Sequence, residues 1–136
     1  DVWTAQGAQA HLGMTVPGFP NMFMLYGPNS QPVASGAGLP TWFEIWTRYI
    51  AECIVGMLEK GRKSMVIRRD AFDEYNEQLH EEAKKLIYLM PNSAMEKNYY
   101  VNEFGRLQMN APWNGEQYYE LCKSPDESHF DFTEAQ

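Results

Sequence analysis

The sequence predicts an α/β fold in which one short strand, a glycine- and proline-rich loop and a long helix are followed by helical and irregular segments. Three observations support this fold class: a continuous apolar run at 22–26, a loop at 27–40 with three glycines and three prolines, and a helical apolar period over 41–60. Because a single strand cannot form a sheet, the fold is incomplete on its own, and the remaining strands must come from elsewhere.

The strand is predicted at Met22–Tyr26, where five apolar residues lie between turn signals at Pro20-Asn21 and Gly27-Pro28. A short run that is apolar on both faces is typical of a buried parallel strand. Residues 1–47 carry two carboxylates and no lysine or arginine, and they hold six of the ten glycines and five of the eight prolines. We therefore expect this part of the chain to lie against other protein.

The long helix is predicted over 41–60, with Pro40-Thr41 at its start and Gly61 ending it in the left-handed conformation. Its apolar residues recur every three or four positions on one face: Trp42, Ile45, Trp46, Tyr49, Ile50, Cys53, Ile54, Met57 and Leu58. The three aromatic members pack in the core by default; the alternative is that they line a cofactor cavity. Cys53 is predicted to be a buried, inert thiol.

The chain after Gly61 is predicted to be mainly helical, with short extended segments. Asp70 is expected to cap the second helix, whose carboxylates are predicted to be solvated, with Glu81 and Lys85 forming a helical ion pair. The predicted elements are a strand or extended link at 64–68, a helix at 71–89, extended segments at 97–113 around a turn at 102–105, a short helix at 116–121, and an acidic, partly ordered tail at 125–136.

The composition excludes several classes of protein. The net charge of −7 disfavours a nucleic-acid partner, because an acidic surface repels phosphate. No apolar run approaches the roughly 18 residues of a spanning helix. Two cysteines are too few for a disulfide scaffold, so we expect a reducing, cytoplasmic location. The first residues, DVWTAQGAQA, contain neither an initiator methionine nor a signal peptide, which indicates a processed product or a fragment.

Sequence motifs for catalysis are missing from the chain. It contains no glycine fingerprint for dinucleotides or phosphates, no nucleophile elbow and no zinc-protease motif. His11, His80 and His129 lie far apart in sequence, without metal-ligand spacing. We therefore assign no catalytic residue and no metal ligand. The loop at 27–40 remains as a candidate, because Ser35-Gly36-Ala37-Gly38 would let a flat ligand approach the backbone; the alternative is a purely structural loop.

Two blocks of sequence resemble class B flavoprotein monooxygenases. The first is HLGMTVPGFPNMFMLYGPNS at 11–30, which resembles the C-terminal signature of their FAD domain. The second is YYVNEFGR at 99–106, followed by NAPW at 110–113. The similarity is strongest to the Baeyer–Villiger subgroup, which includes 4-hydroxyacetophenone and cyclohexanone monooxygenases. The resemblance implies the C-terminal portion of a flavoprotein with two dinucleotide-binding domains.

The resemblance also implies a function. Such enzymes use FAD and NADPH to insert one oxygen of O2 into a ketone, giving an ester or lactone, or to oxidise a soft heteroatom. Gly27, Pro28 and Asn29 match the family's strand-end motif. Gly38 and Leu39 fall where the start of a helix would offer its backbone N–H to the flavin, and loop 31–38 would face the substrate.

The missing fingerprints limit the role of this chain. Under the resemblance, all 136 residues belong to the C-terminal part of the FAD-binding domain. Residues 1–61 would supply its strand, loop and helix, and residues 62–136 a helical and irregular extension. The chain would then be inactive without the remainder of the monooxygenase, its main partner besides a small ketone. The alternative is a free-standing, non-catalytic binding or assembly domain. Its exposed apolar surface would favour a homodimer or another partner.

Overall fold

A computed structural model describes residues 2–33, 35–91 and 98–134 of the chain. Four α-helices, four short strands and two 3-10 turns are present in these residues. In chain order they are α1 (Val2–Gln6), β1 (Gln31–Pro32), α2 (Leu39–Glu59), β2 (Arg62–Ile67), α3 (Arg69–Ala83), a 3-10 turn (Ile87–Leu89), β3 (Asn110–Ala111), α4 (Gly115–Cys122), a 3-10 turn (Glu127–His129) and β4 (Phe130–Glu134).

The long helix α2 confirms the predicted periodicity. It has proline in its first turn, and Gly61 follows its end with a φ of +64°. Its inward face is formed by Trp42, Trp46, Tyr49, Cys53 and Met57, all buried. The aromatic residues of this face therefore belong to the core of the described chain, as their helical spacing predicted.

The predicted strand at Met22–Tyr26 is wrong for the described chain. This stretch forms no strand. Its backbone N–H groups donate from Met24 to the Met14 carbonyl at 2.8 Å and from Met22 to the Phe19 carbonyl at 3.3 Å. A strand needs a neighbouring strand for its hydrogen bonds, and the described residues place none beside it. The parallel pairing that does occur lies further along, within the predicted loop, where β1 pairs with β3.

Of the two predicted alternatives at 64–68, a strand or an extended link, the structure shows the strand, β2. It pairs antiparallel with β4, with Met65 opposite Phe132 and Ile67 opposite Phe130. The tail is therefore more ordered than predicted, although residues 135–136 lie outside the described part. Glu127 also fixes the tail, because its carboxylate contacts Lys60 Nζ at 2.6 Å and Arg62 Nη1 at 3.1 Å.

Helix α3 is shorter than predicted, ending at Ala83 before a turn and the 3-10 turn. Asp70 is not its cap: Arg68 occupies that position, and the Asp70 carboxylate accepts a hydrogen bond from Ala71 N within the first turn. Glu81 pairs with Lys84 at 2.5 Å, not with Lys85. The carboxylates of α3 are solvated, as predicted.

The predicted turn at 102–105 and the predicted short helix at 116–121 are confirmed. The turn at 102–105 is closed by the Asn102 side chain, which accepts hydrogen bonds from Phe104 N and Arg106 N at 3.0 and 2.9 Å. Residues 92–97, including the predicted start of this segment at Lys97, lie outside the described residues. Helix α4 begins with a capping box formed by Asn114 and Gln117. Among the described residues, no helix is long and apolar enough to cross a membrane.

Candidate functional site

Two glycines hold the predicted strand-end motif against the preceding turn. A Cβ on Gly27 would lie 2.2 Å from the Gly13 carbonyl oxygen, and a Cβ on Gly13 would lie 2.4 Å from Ser30 Cβ. Gly13 also has a φ of +70°, which disfavours any side chain. The two backbone segments can therefore lie this close only because both positions are glycine. Pro28, next in the motif, is half-buried.

Asn29 points into the chain's own interior. It is 3% exposed, and its side-chain amide donates to the carbonyl oxygens of Leu107 at 2.6 Å and Asn110 at 3.0 Å. Its backbone N–H donates to the Gln108 carbonyl at 3.0 Å. The side-chain donors are therefore used within the chain, and Asn29 joins the strand-end motif to β3.

In contrast to the buried Asn29, the start of α2 is open to solvent. Gly38 is the N-cap with φ −73° and ψ 161° and no side-chain cap bond, and Leu39 is 38% exposed. Space around Gly38 is open, since a Cβ there would meet only Pro40 Cδ, at 3.5 Å. Within the described residues the Leu39 N–H donates to no acceptor of the chain. This N–H therefore lies unpaired at the positive end of a 21-residue helix.

An exposed aromatic surface lies beside this helix start. Tyr26 is 37% exposed and Phe43 is 36% exposed, and their ring centroids are 6.3 Å apart. Both rings pack on Trp46, at 5.9 Å from Tyr26 and 5.4 Å from Phe43. Sequence reasoning missed these two residues. For Phe43 the sequence did contain an indication: it lies one helical turn after Leu39, and therefore on the same face of the helix.

Trp46, on which the two exposed rings pack, is held in place by two buried hydrogen bonds in series. Trp46 Nε1 donates to the Tyr118 hydroxyl at 3.1 Å, and that hydroxyl donates to the Leu12 carbonyl at 2.8 Å. Both aromatic residues are fully buried, and burial raises the pKa of Tyr118, so the phenol stays neutral. Helices α2 and α4 and the N-terminal segment are thereby tied together.

A second apolar surface runs along α2, beside its buried face. We call Phe43, Ile50, Ile54 and Leu58 the apolar band, since they recur at the spacing of one helix face. Ile54 is 42% exposed and Leu58 is 72% exposed. The helix thus has apolar residues on two adjacent faces, and the described chain covers only one of them.

The predicted site residues therefore fall into two groups. Gly27, Pro28 and Asn29 lie packed against the chain itself, whereas Gly38 and Leu39 lie at an open helix start beside aromatic rings. An unpaired N–H at a helix start can donate to an acceptor that carries negative charge. The nearby rings can pack against a flat, aromatic ligand. The open group is thus the part of the prediction that can contact a cofactor directly.

Known proteins with similar sequences are monooxygenases. No protein-family model matches the chain. It is 32% identical over 126 residues to an uncharacterised monooxygenase, y4iD, of Sinorhizobium fredii, covering 93% of this chain and 18% of the relative. It is 28% identical over 116 residues to the FAD-binding monooxygenase ktnD of Aspergillus niger, covering 82% of this chain and 18% of the relative. The chain thus spans about a fifth of the length of these curated relatives.

Solved structures of monooxygenases contain a portion with the same fold as this chain. An oxidised steroid monooxygenase bound to NADP superposes with a TM-score of 0.77 at 22% identity, covering 98% of this chain and 25% of that one. OTEMO in complex with FAD and NADP gives a TM-score of 0.77 at 19% identity, covering 98% and 24%. The predicted resemblance to flavoprotein monooxygenases is confirmed, as is the prediction that the fold is a portion of such a flavoprotein.

Proposed function

We propose that this chain, which matches part of the flavoprotein monooxygenases in sequence and fold, works within an FAD- and NADPH-dependent monooxygenase. The reaction would insert one oxygen of O2 into a small ketone to give an ester or lactone, or oxidise a soft heteroatom. The similarity over 93% of the chain to a monooxygenase is the observation that carries the proposal. The FAD and NADP bound to a structural neighbour support the choice of cofactors.

The residues at the start of α2 fit a flavin. Gly38 leaves the helix start open, and the Leu39 N–H has no acceptor among the described residues. When bound, FAD would take hydride from NADPH and supply the activated oxygen. The role of this chain would be to hold the pyrimidine edge of the flavin through the Leu39 N–H. A helix N-terminus carries roughly half a positive charge, which favours a ligand that becomes negative when reduced.

The rigid attachment of α2 would keep this N–H in position. Trp46 is fully buried and hydrogen-bonded to Tyr118, so α2 cannot move as a unit without breaking that contact. Gly27, Pro28 and Asn29 would act indirectly, by fixing the path of the chain into loop 31–38. A binding group that is held before the ligand arrives loses less entropy on binding.

The rest of the monooxygenase would supply what this chain lacks. The sequence has no glycine fingerprint for a diphosphate, so the phosphates of FAD and NADPH would be held by the remainder of the polypeptide. The apolar band of α2 offers that remainder a docking surface. We propose residues 1–61 as its loop and long-helix portion and residues 62–136 as its extension, both C-terminal in the complete enzyme.

A cytoplasmic location is part of the proposal. Cys53 and Cys122 are both free and buried, and burial raises the pKa of each thiol to about 12. Neutral, enclosed thiols need no oxidising compartment.

The proposal is tested on the complete polypeptide that contains this chain. Purified protein should be yellow with bound flavin, and a ketone such as cyclohexanone or 4-hydroxyacetophenone should raise its rate of NADPH consumption. The isolated chain should be colourless, because it has no phosphate-binding turn. A complete polypeptide without flavin would contradict the proposal and favour a non-catalytic domain.

A further inference from the structure

The start of α4 contains the only asparagine–glycine pair of the sequence, Asn114-Gly115. In such a pair the glycine backbone nitrogen can attack the side-chain carbonyl carbon of the asparagine, because glycine has no Cβ to hinder the approach. A cyclic succinimide forms as ammonia leaves, and one water molecule then opens the ring. If water breaks the bond from nitrogen to the side-chain carbon, the product is aspartate. If water breaks the bond to the main-chain carbonyl carbon, the product is isoaspartate.

Both reacting groups are open to this chemistry. The Asn114 side chain is exposed, and the Gly115 N–H has no acceptor among the described residues. The interior asparagines differ, since the side-chain amides of Asn29 and Asn76 are buried and donate to main-chain carbonyl oxygens. Solvent therefore reaches the pair at the start of α4, and no hydrogen bond within the described chain holds the Gly115 nitrogen.

The capping box restrains the reaction. Asn114 Oδ1 accepts a hydrogen bond from Gln117 N at 2.9 Å, and Gln117 Oε1 accepts one from Asn114 N at 3.1 Å. To cyclise, the Asn114 side chain must turn towards the Gly115 nitrogen and leave the first of these acceptor positions. We therefore expect the reaction to start from molecules in which the box has opened. Each hydrogen bond of the box lowers the open fraction by about twofold to tenfold.

The two products differ in their effect on α4. Aspartate at position 114 keeps the shape of asparagine and remains a favoured N-cap, and the positive end of the helix stabilises its charge. Isoaspartate lengthens the main chain by one methylene group. The carbonyl of Asn114, which accepts from Tyr118 N at 3.0 Å, then becomes a free carboxylate outside the main chain. Isoaspartate therefore removes the first turn's anchor, whereas aspartate preserves it.

The added methylene group would fall where α4 touches the loop at 31–38. A Cβ on Gly115 would lie 2.8 Å from the Ser35 carbonyl oxygen and 3.0 Å from Ser35 Cα, so the two backbones are in close contact. Next to this contact, the Val33 N–H donates to the Trp113 carbonyl at 3.1 Å. A longer main chain has no space here unless the loop and the start of α4 move apart.

We propose that Asn114 is a site of spontaneous deamidation, that the capping box controls its rate, and that the isoaspartate product separates α4 from loop 31–38. Water is the only co-reactant, and ammonia is the only leaving group. The modification does not depend on the proposed flavin contact, although the affected loop leads directly into Gly38 and Leu39.

Timed incubation of the complete polypeptide at mildly alkaline pH tests the site, with both products identified by peptide mass spectrometry. Asn114 should convert at least about tenfold faster than Asn102, whose side chain also accepts main-chain N–H bonds but which precedes Glu103. Gln117→Ala should accelerate conversion of Asn114 at least about twofold. Gln117→Glu keeps the acceptor of the box and should convert at the wild-type rate. Equal rates at Asn114 and Asn102, or a wild-type rate in Gln117→Ala, would overturn the proposal.

Hydrogen exchange of the Val33 amide tests the effect on the loop. The isoaspartate fraction, separated by chromatography, should exchange this amide at least about threefold faster than unmodified protein, because the bond to the Trp113 carbonyl is weakened. Asn114→Asp reproduces the other product and should exchange as wild type. Unchanged exchange in the isoaspartate fraction, or equal acceleration in Asn114→Asp, would overturn the proposed separation of α4 from the loop.

Discussion

The side-chain amide of Asn29 donates a hydrogen bond to the carbonyl oxygen of Asn110, 81 residues later in the chain, at 3.0 Å. The same amide donates to the Leu107 carbonyl at 2.6 Å. One buried side chain thus connects the strand-end motif with the segment that contains β3, next to the parallel pairing of β1 and β3. The two blocks of sequence that resemble monooxygenases are therefore in direct contact through Asn29.

Asn29→Ala should destabilise the protein strongly. It leaves two buried carbonyl oxygens without donors, and we expect a loss of about 2–3 kcal/mol in the free energy of unfolding. Urea denaturation followed by tryptophan fluorescence measures it. Gln108→Ala is the control: its side chain makes one exposed hydrogen bond, to the Tyr99 carbonyl, and the loss should stay below about 1 kcal/mol. Equal losses would show that Asn29 does not join the two segments.

Gly38→Val should lower flavin retention or slow flavin reoxidation in the complete enzyme. The added side chain has room in the protein itself, because the nearest atom to its Cβ is Pro40 Cδ at 3.5 Å, but it would crowd a ligand at the helix start. Thermal stability without flavin should therefore change little. Leu39→Met keeps the main-chain contact and should behave as wild type. Wild-type flavin content and reoxidation in Gly38→Val would remove this helix start from the flavin site.

Ile54→Glu should disturb the complete enzyme more than Val55→Glu. The two residues are adjacent and similarly exposed in this chain, at 42% and 50%, but only Ile54 belongs to the apolar band. If the remainder of the polypeptide covers the band, a buried glutamate there costs several kcal/mol, while Val55→Glu remains solvated. The two variants are compared by their melting temperatures and their flavin content. An equal effect of both variants would show that the band stays uncovered.

Stability should fall as the pH is lowered from about 6.5 towards 3. The folded-state pKa of His11 is lowered to about 3, so between these values the unfolded state binds a proton at His11 that the folded state does not. The free energy of unfolding thus decreases with falling pH in this window. Between pH 6.5 and 5, before most carboxylates titrate, His11→Phe should flatten the slope. The rings that face His11 are Tyr75, His129 and Phe130. An unchanged slope in His11→Phe would assign the pH dependence to other groups.

Local patterns predicted α2, α3 and α4, because their hydrogen bonds and apolar spacing lie within one stretch of sequence, whereas the short helix α1 at Val2–Gln6 was not predicted. The apolar period placed α2 within two residues of its start and one of its end, and Gly61 marked its termination. Strand β4 was missed because its partner is remote: Phe132 pairs with Met65. The alternation of Phe130 and Phe132 with polar residues was the available signal.

The strand predicted at Met22–Tyr26 failed for the same physical reason. Apolar composition identifies a segment whose burial is favourable. A strand also requires a neighbouring strand for its hydrogen bonds, and the described chain provides none there. At the site, sequence reasoning found the open start of α2 at Gly38 and Leu39. It could not distinguish the internal role of Asn29, whose partners at Leu107 and Asn110 are distant in sequence.

Labelled oxygen provides the most direct test of the central claim that this chain works within a flavin-dependent monooxygenase. The complete polypeptide is incubated with NADPH, 18O2 and either a ketone or an organic sulfide, and the products are analysed by mass spectrometry. We expect one 18O atom in the ester, lactone or sulfoxide, with the other atom of O2 released as water. NADPH-dependent incubation of flavin-loaded protein that yields no labelled organic product from a range of ketones and sulfides would contradict it.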